Sequence, residues 1–165
     1  MRQYWVFAQR PPAALPLAEL VNSARSHFRA SLEVTSETGL DAQRRGDTSV
    51  VTLRLRHDGL GVDDVLTVRT RASQADDLVL ARAAELQGKA AGMAALAERC
   101  PSVWVVDAPA SLSDVAKEAA SLLLCAVLAS VGLGPVLPPD RATLFGVRGA
   151  RERADKLLGA PALQR

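Results

Sequence analysis

The longest hydrophobic pattern in the chain covers residues 111–131, which read SLSDVAKEAASLLLCAVLASV. The second half carries no charged residue, and apolar side chains would cover nearly the whole circumference of a helix there. Ser111 begins a capping-box pattern, while Gly132 and Pro135 provide the stop signal. A helix that is apolar all round lies in a protein core or in a membrane. Because glycines and prolines crowd residues 132–139, the helix is too short to span about 30 Å, and we predict a core helix.

Hydrophobic periodicity in the rest of the chain predicts an alternation of strands and helices. Strands are predicted at residues 3–8, 31–37, 49–57, 64–71, 103–106 and 141–147. Helices are predicted at residues 17–29, 73–100, 111–131 and 149–158. The order β-α-β-β-β-α-β-α-β-α predicts a single globular α+β domain over residues 1–165. We expect a mixed β-sheet of five to six strands, with the helices packed mainly on one face.

The two strands at residues 49–57 and 64–71 are predicted to form a hairpin around the sequence Gly59-Leu60-Gly61. Pairing residue 54 with 67 and residue 55 with 66 places the apolar side chains of both strands on one face. The opposite face then carries four arginines, Arg54, Arg56, Arg69 and Arg71. These side chains are predicted to point away from the core.

The predicted helix over residues 73–100 has a narrow apolar stripe of mostly small side chains. Its members recur at steps of three and four: Val79, Ala83, Leu86, Ala90, Met93, Ala97 and Cys100. Gly88 and Gly92 lie in the same segment, and each costs a helix about 1 kcal/mol relative to alanine. Glycines are tolerated where another backbone comes close, so we expect the helix at 111–131 to pack against this one.

Composition narrows the class of protein. The chain has 165 residues, of which 48% are hydrophobic and 23% charged, and its net charge is +2, as expected of a globular domain with its own core. Arginine outnumbers lysine by 17 to 3, a bias typical of GC-rich bacterial coding. Cys100 and Cys125 are predicted to be buried free thiols. No signal peptide is recognised, so we expect a soluble cytoplasmic protein without a membrane segment.

Known chemical motifs are absent from the sequence. It has no phosphate loop, dinucleotide fingerprint, nucleophile elbow or paired-histidine zinc motif, so we predict no cofactor, no metal and no catalytic set. Asp107, at the end of a buried strand, is the single candidate for a small enzyme, because open α/β sheets keep their chemistry at strand ends. We nevertheless expect that its carboxylate only bonds backbone amides near Ser111 and positions the turn.

The arginine face of the hairpin is the predicted partner-binding site, formed by Arg54, Arg56, Arg69 and Arg71. Guanidinium groups suit carboxylates and phosphates, so the expected partner is an acidic protein surface, with nucleic acid as an alternative. Few aromatics accompany these arginines, which disfavours a platform for single strands. We predict a non-enzymatic protein-binding module of a bacterium, immunity-like or adaptor-like. Two other interpretations remain: the face is merely solvated and paired with Glu33 and Glu37, or the functional surface lies at residues 148–153. No oligomeric state follows from the sequence.

Overall fold

Within the described residues, six strands form one antiparallel sheet with helices against both of its faces. The computed structural model of the protein describes residues 2–38, 49–109 and 113–159. The strands are β1 (Gln3–Ala8), β2 (Ser31–Thr38), β3 (Ser49–His57), β4 (Val62–Ala72), β5 (Ser102–Asp107) and β6 (Val136–Leu137). The helices are α1 (Leu17–Phe28), α2 (Ala75–Gly88), α3 (Met93–Glu98), α4 (Val115–Gly132) and α5 (Val147–Leu157). The strand order across the sheet is β2-β3-β4-β5-β1-β6.

The α+β class and the order of elements are confirmed, and the sheet is antiparallel throughout rather than mixed. The reason lies in the connection between β4 and β5. Helices α2 and α3 form an excursion that returns to the end of the sheet from which it left, so that Ala72 pairs with Ser102. The backbone N–H of Ser73 also donates to the carbonyl of Pro101 at 2.9 Å. A connection that begins and ends at one sheet end joins antiparallel strands.

Helix α4 forms the centre of the larger core, as the apolar pattern predicts. Its residues from Glu118 to Ala129 are all buried, and it packs with α1 and α5 against one face of the sheet. The expectation that this helix is too short to span a membrane is wrong, because among the described helices α4 alone is long and apolar enough to cross one. However, 72% of it is buried inside the protein. Its N-cap is Asp114, whose carboxylate accepts from the backbone N–H of Lys117. The predicted start at Ser111 lies outside the described residues.

On the opposite face of the sheet, the helices α2 and α3 pack against part of its width. Four alanines of α2 and α3 pack there against the apolar side chains of β1 and β5, and these are Ala81, Ala84, Ala94 and Ala97. Their small side chains let the helices lie close to Phe7, Val103 and Val105. Among the described residues, the helices α2 and α3 do not contribute to a core against β2, β3 or the start of β4. Three helices therefore pack on one face and two on part of the other.

The prediction of one helix over residues 73–100 is wrong in two respects. The chain breaks between α2 and α3, where Lys89 and Gly92 adopt positive φ angles of 54° and 87°. The predicted apolar stripe also faces solvent in part, since Leu86 is 82% exposed. The alanines outside that stripe, Ala81 and Ala84, make the contact instead. Alanine contributes little to a hydrophobic pattern, so the positions of valine and leucine determine which face of a helix is predicted to be buried.

Gly88 lies against a different segment from the predicted one. A Cβ atom at this position would lie 2.2 Å from Oγ1 of Thr143, in the segment that follows β6. Helix α4 lies on the other side of the sheet, so the predicted packing between the two long helices is wrong. The close approach that glycine permits is real, but it accommodates a connecting segment rather than the core helix.

The hairpin is confirmed, with a register two residues from the predicted one. Residue 54 pairs with 65 and residue 55 with 64, because β4 begins at Val62. A tight 3-10 turn over Asp58–Leu60 followed by Gly61 at a φ of 68° joins the strands. Side chains alternate with a period of two, so a shift of two residues keeps every side chain on its predicted face. The four arginines therefore stay on one side of the sheet.

The predicted edge strand over residues 141–147 is wrong. Only Phe145 pairs, in a single bridge with Val136, and the edge strand is the two-residue β6. Two prolines follow β6 directly, and Arg141 adopts a positive φ of 56°. Proline removes backbone donors and a left-handed residue turns the chain, so extended pairing cannot continue.

Both cysteines are buried free thiols, as predicted. Burial raises the pKa of Cys100 to about 11 and raises that of Cys125 well above its usual range. The thiolate is the reactive form. We therefore expect neither thiol of the native protein to react with Ellman's reagent at pH 8, and both to react after denaturation. Rapid reaction of either thiol in the native state would contradict this packing.

Candidate functional site

The sheet places the four predicted arginines on its second face, the one partly covered by α2 and α3. In the observed register Arg54 lies opposite Val65, while Arg69 and Arg71 lie opposite Val105 and Val103. The strand alternation that the sequence predicts is responsible for this common orientation. The four side chains nevertheless divide into two pairs with different surroundings.

Arg69 and Arg71 are bound to the protein itself. Arg71 donates two hydrogen bonds to the carboxylate of Asp77, at 2.6 and 3.0 Å, and its guanidinium lies 4.9 Å from the ring centre of Trp5. The side chain of Arg71 is 18% exposed and that of Asp77 is 5% exposed. Arg69 donates to Asp107 at 2.6 Å. The expectation that all four arginines point away from the core is therefore wrong for Arg71, which neutralises a buried carboxylate.

Arg54 and Arg56 are the accessible members of the predicted set. Arg54 donates two hydrogen bonds of 2.9 Å to Asp63, and Arg56 lies 3.9 Å from the same carboxylate. The hydrogen bonds from Arg54 are the main reason that the pKa of Asp63 is lowered. Glu33 lies opposite Arg54 in the sheet, as expected for a cross-strand neighbour. The side chain of Glu37 is outside the described part of the chain.

Asp107 has a partner that the sequence does not reveal. Its carboxylate accepts from Arg69 at 2.6 Å and lies 3.5 Å from the side-chain nitrogen of Gln3. The expectation of bonds to backbone amides alone is wrong, because pairing β4 with β5 brings residues 69 and 107 together. The carboxylate links the neighbouring strands β4 and β5, and the ionisable side chain of Arg69 lies within hydrogen-bond reach of it. We interpret it as an ion-pair partner.

A second arginine group lies at the outer edge of the sheet. Arg25 of α1, Arg29 after α1 and Arg56 of β3 border a concavity of about 670 Å³ beside the first residues of β2. Glu33 and Asp58 also line it. Sequence patterns missed this group because its members come from three separate elements. The only available signal was the spacing of four between residues 25 and 29, which places both near one side of a helix end.

Strand β2 is an edge strand, and among the described residues no strand pairs with its outer side. A register shift between Val34 and Ser36 marks a β-bulge in its pairing with β3. Bulges on edge strands disturb the regular array of hydrogen-bonding groups. The bulge divides the edge into two stretches of regular pairing, and the first of them, Ser31–Val34, borders the arginine concavity.

Neither a metal cluster nor a known relative indicates a function. Within residues 2–38, 49–109 and 113–159, no group of three or more histidine, cysteine or acidic side chains is placed to hold a metal ion. Comparisons with protein families, with curated proteins and with solved structures find no match to this chain. Function is therefore inferred from the geometry and charges of the described residues.

Proposed function

We propose that the protein is a non-enzymatic protein-binding module that accepts an acidic, extended segment of a partner protein along the outer edge of β2. The observation that carries this proposal is the position of the unpaired edge directly beside the concavity lined by Arg25, Arg29 and Arg56. Backbone groups of the edge would supply hydrogen bonds, and the arginines would select acidic side chains.

The outer edge of β2 could bind a partner by strand addition. An extended segment that adds to a sheet edge gains main-chain hydrogen bonds, and pockets for its alternate side chains provide specificity. The residues of β2 between Ser31 and Ser36 are exposed except for Leu32, so the edge is accessible. The bulge after Val34 interrupts the pairing of β2 with β3, so the first regular stretch of the edge is Ser31–Val34. A partner segment aligned there would pass next to the arginines.

The charges of the concavity favour a carboxylate-bearing partner. Three arginines face two acidic residues, Glu33 and Asp58, which leaves one excess positive charge. Among the described residues, no carboxylate lies within ion-pair distance of Arg25 or Arg29. Arginine binds carboxylates through a planar fork and is less strongly hydrated than lysine. The guanidinium groups of Arg25 and Arg29 are thus available to a partner without first breaking an ion pair among the described residues, whereas Arg56 lies 3.9 Å from Asp63.

This proposal keeps two of the four arginines of the predicted binding site. Arg56 belongs to the concavity and Arg54 lies next to it across from Glu33, so both stay in the binding region. Arg69 and Arg71 are assigned to internal ion pairs with Asp107 and Asp77. A nucleic-acid partner stays the alternative, because arginine binds phosphates as well as carboxylates.

We expect Arg25→Ser combined with Arg56→Ser to weaken partner binding by about tenfold or more, since charged contacts set association rate and specificity. The wild type and the variant would each be used to capture partners from the native host. The affinity of the purified partner would then be measured by calorimetry. Arg82→Ser is the matched control, because Arg82 is as exposed as Arg56 but lies on α2 and pairs with Glu98.

Unchanged affinity of the double variant would contradict the proposed site. A captured nucleic acid, with log K falling by about 0.9 per log unit of salt for each phosphate neutralised, would identify the alternative partner class. Equal losses in the double variant and in Arg82→Ser would indicate only a general charge effect.

A further inference from the structure

A second concave site lies on the far side of the molecule from the β2 edge. It is a cavity of about 500 Å³ between the start of β1, helix α4, helix α5 and the segment after β6. Its walls are mostly apolar and include Leu122, Phe145, Pro138 and Pro139. Cavities with apolar walls and a few convergent polar groups are the usual form of small-molecule sites.

The floor of this cavity is a closed ion pair. Arg2 donates to the two carboxylate oxygens of Glu118 at 2.8 and 3.0 Å, and the hydroxyl of Tyr4 donates to the same carboxylate. Tyr4 and Glu118 are both buried. Burial first, and then the hydrogen bond to Glu118, raises the pKa of the Tyr4 phenol, so it stays a neutral donor. The ion pair of Arg2 with Glu118 thus has no net charge, and among the described residues no buried side-chain nitrogen or oxygen lacks a hydrogen-bond partner.

The rim of the cavity carries the charge that a ligand would meet. Arg153 and Lys156 are exposed side chains of α5, one turn apart, and both line the cavity. The guanidinium of Arg153 lies 4.4 Å from the ring centre of Phe145, which holds it over the cavity wall. Among the described residues, no carboxylate forms an ion pair with either side chain. Asp140, also on the rim, accepts from the backbone N–H of Ala142 at 3.0 Å.

We infer that this cavity binds a small amphipathic carboxylate. Its head group would lie between Arg153 and Lys156, and its apolar body would lie against Leu122, Phe145 and the two prolines. The apolar walls would hold the apolar part. The charged part would stay at the rim, because the cation at the floor, Arg2, is already paired with Glu118 and burying an unpaired charge is costly. This site is separate from the β2 edge and does not depend on the proposed partner.

Calorimetric titration with sodium decanoate tests the inference. We expect saturable binding to the wild type, and about tenfold weaker binding of decylamine, whose head group has the opposite charge. Arg153→Glu combined with Lys156→Glu changes only exposed side chains and should weaken decanoate binding by about tenfold or more. Arg148→Glu is the matched control on the same helix, because Arg148 is 93% exposed and does not line the cavity. Leu122→Trp should fill the cavity and abolish binding.

Several results would overturn the inference. Absence of decanoate binding to the wild type, equal binding of decylamine, or full binding to the doubly charge-reversed variant would each exclude an amphipathic carboxylate at this site. If Leu122→Trp fails to fold, as judged by circular dichroism, the comparison of the Arg153→Glu/Lys156→Glu variant with Arg148→Glu tests the site instead. The last measurement uses a chain that ends at Gly159. If decanoate binds this chain but not the full chain, residues 160–165 compete for the cavity, and the inference fails.

Discussion

Arg71→Ala is expected to lower the free energy of unfolding by about 3–5 kcal/mol, the usual effect of removing one partner from a buried ion pair. The substitution leaves the carboxylate of Asp77, which is 5% exposed, without its two guanidinium hydrogen bonds. Asp77 still accepts from the backbone N–H of Gln74 at 2.8 Å, but that bond does not neutralise its charge. Urea denaturation measures the change.

Two further variants make this prediction specific. Adding Asp77→Asn to Arg71→Ala removes the uncompensated charge, so the double variant should be more stable than Arg71→Ala alone. Arg54→Ala is the surface control, since Arg54 and Asp63 are both largely exposed and such pairs contribute little. Equal destabilisation by Arg54→Ala and Arg71→Ala would mean that the burial of Asp77 does not increase the loss in the free energy of unfolding.

Leu128→Ala is expected to cost about 2–5 kcal/mol, as truncation of a fully buried leucine does. Leu86→Ala should change stability by less than about 0.5 kcal/mol, because Leu86 is 82% exposed. The same chemical change on α4 and on α2 should thus separate the core helix from the helix whose apolar stripe faces solvent. Thermal melts of both variants measure the difference. Similar melting temperatures would contradict the assignment of α4 to the core.

The elements that the sequence predicts well are those with a strong local pattern. Strand β1 over Gln3–Ala8 and the apolar helix at residues 115–132 follow from hydrophobicity alone. The faces of the hairpin also follow, because a period of two determines them whatever the register. Where the pattern is weak, the prediction fails, as in α2, where alanines make the contact with the sheet.

Contacts between distant parts of the chain could not be predicted in the same way. The pairing of β4 with β5 brings Arg69 to Asp107, and the turn after β4 brings Arg71 to Asp77. A sequence pattern gives the face on which a side chain lies but not its partner there. The cavity floor is a clearer case, since Arg2 and Glu118 are 116 positions apart. Neither residue carries a local signal that distinguishes it from a surface charge.

The four hairpin arginines, predicted as one binding face, have two different roles because of these contacts between distant residues. Substituting all four hairpin arginines would test two effects at once, because Arg71 stabilises the fold while Arg56 lies at the proposed docking edge. A loss of binding in such a variant would therefore not identify a binding site. The double substitution at residues 25 and 56 avoids this, because both side chains are exposed.

Amide hydrogen exchange of the protein with and without its purified partner tests the proposed strand addition most directly. Peptides covering β2 (Ser31–Thr38) should gain protection on binding, because the outer N–H groups of the edge would become hydrogen-bonded. Peptides covering β6 and α5 serve as internal references and should not change. Protection confined to α5 or to β3, with β2 unchanged, would contradict the account.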